Sequence, residues 1–214
     1  MPALDHLVYA TGDLERTVAS IAELTGVEPV VGGQHPGMGT LNYLLGLGHG
    51  AYLEIIGPDP AQTVPPQWFG IAGLTEPRLV NWAVRTEDIG ALVARTRAAG
   101  YDPGDPQAMS RRATDGTLIT WTLTPPPAGI LPFLIDWGTT AHPTERGLPE
   151  VSLVSFTATH PDPDAVREEL AALGVELEVT RPGHPCLTAV LEGRHGPVTL
   201  SAAPPSELQE SSSP

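Results

Sequence analysis

Residues 4–26 read LDHLVYATGDLERTVASIAELTG, and their pattern sets the architecture of the chain. The first seven, with apolar residues on both sides of an Asp-His pair, predict a strand. Thr11 or Asp13 then caps a helix that places Val18, Ile21 and Leu24 at helical spacing and stops at Gly26. The next three stretches, VEPVVGG, LNYLLGLG and AYLEIIG, predict strands separated by glycine-rich turns, so the first segment is β-α-β-β-β.

The same order returns over 79–138 with little sequence identity: strand LVNWAVRT, helix EDIGALVARTRAAG, a hairpin SRRATDGTLITWTL turning at Asp115-Gly116, and strand LPFLIDWG. A shorter third pass runs over 151–202, with a helix in PDPDAVREELAALG capped by Asp162. Pro- and turn-rich stretches connect the passes, and the expected units are 1–76, 77–140 and 150–203. Residues 204–214, rich in Pro, Ser and acids, predict a disordered tail. The fold class is α+β, in which tandem βαβββ modules form a cupped mixed sheet, each covering an apolar face its neighbour cannot bury alone.

Composition limits the function classes. The formal net charge of −14, with no local basic patch, disfavours phosphate backbones and anionic lipid surfaces. The expected partner is a small molecule, with no nucleic acid and no membrane, and a homodimer is an open option. The single cysteine, Cys186, excludes an intrachain disulfide and a His/Cys zinc cluster. With no basic leader and no long apolar run, a soluble, cytoplasmic protein is expected.

Aligning the first two units on Asp13-Leu14 and Asp88-Ile89 sets His6 opposite Asn81 in the opening strands and Glu54 near Asp136 in the closing ones. Four apolar strands thus each carry a metal-capable polar residue at an interior position. Alternation puts Leu4, His6 and Val8 on one face, and Tyr52, Glu54 and Ile56 on another. A carboxylate in such a setting costs several kcal/mol or more without a partner, or it neutralises. One economical partner is a divalent cation, which satisfies His and acid together. A buried ion pair of Glu54 with Arg85 or Arg111, and a histidine satisfied by its neighbours, are the structural alternatives.

The tandem units, with His in LDHLVYA and Glu in YLEIIG, resemble the vicinal oxygen chelate superfamily, the glyoxalase, bleomycin-resistance and dioxygenase fold. Within it, GGQHPGMGTLN, SRRATDGTLITW and LPFLIDWG resemble a glyoxalase-like branch. The resemblance implies a divalent metal in the cup, chelating vicinal oxygens of the substrate. His6 and Glu54 match ligand positions, Asp136 would be the third ligand or the general base, and Asn81 a weak ligand or a donor to substrate. Glu54 and Asp136 are then the catalytic carboxylates. Asn81 in place of a second histidine argues against an iron site of the ring-cleaving dioxygenase kind.

His35 and Asn42, between two strands of the cup, are further candidates for substrate contact, as are Arg111, whose fork suits a carboxylate or phosphate, and Trp121 as a pocket wall. His142, His160, His184 and His195 lie beside Pro or Gly and are expected to be exposed. The leading expectation is a metal-dependent enzyme of the lyase or isomerase type, moving a proton on a small oxygenated substrate. The alternatives are a metal-free binding or sequestering protein of the same fold, and a structural or regulatory module.

Overall fold

A computed structural model of the chain describes residues 2–113, 115–181 and 183–202; the expected tail lies outside the described residues. Strand β1 (Ala3–Ala10) leads into helix α1 (Leu14–Thr25), then β2 (Val30–His35), β3 (Thr40–Gly48) and β4 (Ala51–Pro58). Asp13 caps α1 by accepting from the Arg16 N–H, and Gly26, at φ 76°, ends it in the left-handed region. The second unit repeats the order with β5 (Arg78–Arg85), α2 (Ile89–Ala98), β6 (Gln107–Arg112), β7 (Leu118–Leu123) and β8 (Phe133–Asp136).

The eight strands close into a barrel in the order β1-β4-β3-β2-β6-β7-β8-β5. In each unit the opening strand pairs in parallel with the closing one, β1 with β4 and β5 with β8. The two opening strands pair antiparallel, Leu7 opposite Trp82. On the far side the cup is joined through one pair, Gln34 with Arg112. Every residue of β4 from Ala51 to Gly57 is buried, because the strand is covered on both faces. Leu53 and Ile55 belong to the outer core with Leu14 and Ile21 of α1, while Tyr52 and Ile56 belong to the inner one with Ile119, Trp121, Phe133 and Trp137.

The third segment has the same element order but a different sheet. Strands β9 (Leu153–Thr159), β10 (Glu178–Thr180), β11 (Cys186–Leu191) and β12 (Val198–Ser201) run in the order β10-β9-β11-β12, with α3 (Pro163–Leu173) between β9 and β10. Here the opening strand takes as its parallel partner the strand just after the helix. Such a sheet does not curl into a third cup. It covers the back of the barrel, where Phe156 meets Trp82 edge to face at 5.2 Å between ring centroids. Among the described residues, no helix is long and apolar enough to cross a membrane.

Candidate functional site

The barrel encloses a chamber with a narrow free space of about 40 Å³. Its wall is largely aromatic and aliphatic, including Trp68, Phe69, Trp121, Phe133 and Trp137, and its polar residues include His6, His35, Asn42, Glu54 and Arg111. Strand alternation explains the grouping: β4 supplies Tyr52, Glu54 and Ile56 inward, and β3 supplies Asn42 opposite Ile56.

Glu54 is 9% exposed and is held by Asn42, whose Nδ2 donates to Oε1 at 2.6 Å. Its Oε2 faces His6 Nε2 at 3.7 Å, and Oε1 faces His35 Nε2 at 4.0 Å. No arginine lies within 4.0 Å of it among the described residues, so the alternative, an ion pair with Arg85 or Arg111, is not formed. His35 Nδ1 is 3.0 Å from the Thr40 hydroxyl, and burial, reinforced by Arg111 against the opposing pull of Glu54, lowers its pKa so that it stays neutral.

Behind His6 lies a residue that strand alternation hides. Asp5 is fully buried, and its Oδ1 meets His6 Nδ1 at 2.7 Å. Neighbours in a regular strand point to opposite faces, but the β1–β5 register slips between Leu4 and His6, a bulge that turns Asp5 and His6 toward one another. Asp5 Oδ2 accepts from Trp137 Nε1–H and from His142 Nε2, both at 3.0 Å. Burial alone would raise the Asp5 pKa, but the hydrogen bonds from His142 and His6 outweigh it and hold the carboxyl well below the usual range.

These bonds fix the tautomers. His142 Nδ1 accepts from the Thr144 N–H at 3.3 Å, so Nε2 carries the proton given to Asp5. An ionised Asp5 favours a proton on His6 Nδ1, and the other ring nitrogen, Nε2, is the one directed at Glu54. His142, expected to be exposed beside Pro143, is instead 5% exposed because it caps a 3₁₀ turn over Asp5. The adjacent acid in LDHL was the one sequence signal for Asp5; nothing local signalled His142.

Asp136 and Asn81 do not join the chamber. On β8 the alternation that turns Phe133 and Ile135 inward sends Asp136 outward, where its Oδ2 accepts from the Ile89 N–H at the start of α2 and its Oδ1 from the Gly138 N–H. Asn81 is buried, but its Nδ2 donates to the Pro127 carbonyl at 2.9 Å and its Oδ1 accepts from the Trp82 N–H. Among the described residues no three His, Cys, Asp or Glu side chains converge on a metal position. The two oxygens of Glu54 address different histidines, a donor set that does not fit the chelate implied by the sequence resemblance.

A closed cup of two βαβββ units whose opening strands pair antiparallel is the architecture of the vicinal oxygen chelate class. The family model described as a glyoxalase-like domain matches residues 4–174, and the chain belongs to that family. A hypothetical protein from Staphylococcus aureus superposes with a TM-score of 0.62 at 16% identity, over 94% of this chain and 85% of that one, which shows a shared fold. Methylmalonyl-CoA epimerase from Mycobacterium tuberculosis is similar at a TM-score of 0.41 and 22% identity, over 62% of this chain and 86% of that one. A variant of the Streptomyces coelicolor methylmalonyl-CoA epimerase, in complex with 2-nitronate-propionyl-CoA, gives 0.40 and 18%, over 64% and 97%. No curated protein matches the sequence.

Proposed function

We propose that the chamber is a proton-transfer site for a small oxygenated substrate with an acidic C–H beside a carbonyl, giving an isomerase or lyase type of reaction. The observation that carries this reading is the Asp5–His6 pair, whose free Nε2 lies 3.7 Å from a second proton acceptor, Glu54. A base needs a lone pair toward the substrate and a partner that stabilises its protonated form; His6 has the first in Nε2 and the second in Asp5. Glu54, held by Asn42, is the second acid–base group. A C–H placed between them loses its proton to one group, which returns that proton to a different atom of the substrate, so both groups end the turnover as they began it. The aromatic wall excludes bulk water, which strengthens each of these interactions.

No step is assigned to a metal, because the donor set does not fit one. A second reading, a metal-free binding protein, is supported by the aromatic lining of so narrow a space. One experiment separates the two. Purified protein in D₂O is incubated with a panel of small ketones, 2-oxo acids and 2-hydroxy acids, and loss of the C–H proton signal is followed by NMR. Catalysed exchange that Glu54→Gln and His6→Gln each reduce by about 100-fold or more is expected for proton transfer. Binding of panel members with no exchange above the uncatalysed rate would leave the binding protein.

A further inference from the structure

Arg111 and Arg112 are neighbours on β6, and alternation separates them. Arg112 is exposed and donates from Nη1 to the Gly116 carbonyl at 3.1 Å within its own hairpin. Arg111 is 5% exposed and lines the chamber. Its hydrogen bond goes from Nη1 to the Gly32 carbonyl, and no carboxylate lies within 4.0 Å of it among the described residues. A guanidinium carries five N–H donors in a planar fork, so one neutral carbonyl answers only a small part of it.

Its surroundings are shaped to leave this cation unpaired. Gly32 makes the room: a Cβ there would overlap Asn42 Oδ1 and press on Arg111 Nη1. Trp121, paired with Met109 on the adjoining strand, is a diagonal neighbour of Arg111 on the same face, and its indole N–H is buried without a partner. Burial lowers the Arg111 pKa while Tyr52 and Glu54 oppose the shift, and a group so basic keeps its charge. Glu54, the acid whose charge acts on Arg111, is already held by Asn42.

We infer that the chamber takes a ligand bearing a carboxylate, seated on the fork of Arg111 with Trp121 as a second donor, so that the substrate class is a small 2-oxo or 2-hydroxy acid. This rests on the proton-transfer reading of the same chamber. The planar oxygens of a carboxylate match the fork, whereas a tetrahedral dianion brings a second negative charge into the field of Glu54. With its carboxylate on Arg111, such an acid carries its acidic C–H within the same chamber as His6 and Glu54.

The test is calorimetric titration of the full-length protein with propanoate, lactate and pyruvate, each against its own amide, and with inorganic phosphate. The acids are expected to bind at least about tenfold more tightly than the amides, the scale of a lost charge-assisted pair. Arg111→Met should abolish that preference, and Arg111→Lys should keep part of it. If Arg111→Met fails to fold, the acid-against-amide contrast in the unaltered protein stands as the test. Equal affinity for acid and amide, no binding of any acid, or equally tight binding of phosphate overturns the inference. Acids that bind without deuterium exchange overturn the proton-transfer reading and keep the carboxylate seat. Exchange on neutral ketones with no preference for acids does the reverse.

Discussion

Asp5 sits at the centre of the polar network although it is not itself part of the chamber lining. Its two oxygens receive donors from His6, Trp137 and His142, which come from β1 and from two segments more than 130 positions away. Asp5→Asn keeps the shape but sets an N–H against at least one of those donors. The expected cost is about 3 kcal/mol, the low end for breaking a buried charged network. For a chain of this size that is a fall in melting temperature of about 6–12 °C. The pH dependence has a definite sign. The folded pKa is depressed below the ordinary 3.8, so the stabilisation is present above that pH and is lost as pH falls toward the folded value. The gap between parent and Asp5→Asn in chemical denaturation should therefore be constant above about pH 5 and narrow below about pH 4. A gap independent of pH would mean that the Asp5 pKa is not depressed in the folded protein.

Among the elements, β1 and the connector after β4 matter most to the site. The bulge in β1 puts two consecutive residues on one network, something a regular strand cannot do. The connector lays Trp68 and Phe69 along the chamber, with Phe69 at φ 57° and Gly70 at φ 64°. A left-handed phenylalanine is unfavourable and persists only where its surroundings hold it. Phe69→Gly relieves the backbone and removes the ring, so acrylamide should quench the tryptophan fluorescence more efficiently than in the parent. Unchanged quenching would mean that this segment does not cover the chamber. The apolar pair Trp68-Phe69 in a Pro-rich connector was visible in the sequence. Its place over the chamber was not, because a connector has no period to fix where it lies.

For the whole molecule, the third segment shares one continuous core with the barrel, in which Leu170, Leu187 and Leu191 belong with Leu7, Trp82 and Val84. Removing residues 151–214 would uncover the outer face of β5 and the side of α2 that α3 packs against. The shortened chain is expected to be insoluble or to lack a cooperative thermal transition. A soluble, cooperatively unfolding 1–150 product would make the third segment an independent addition.

Periodicity and turn chemistry were enough to read strand and helix order, the two paired units and the inward placement of His6 and Glu54, since each depends only on residues close in sequence. Which polar residues meet depends on register and closure. A one-residue step on β8 turns Asp136 out to the start of α2, and Asn81 is taken up by the Pro127 carbonyl. A slipped register on β1 brings Asp5 in, and chain closure delivers His142 to it. Local sequence therefore determined the cup and pointed to five of its polar residues, His6, His35, Asn42, Glu54 and Arg111. The tertiary structure alone decided their partners, because a bulge and a contact across most of the chain leave no mark on local hydrophobic period.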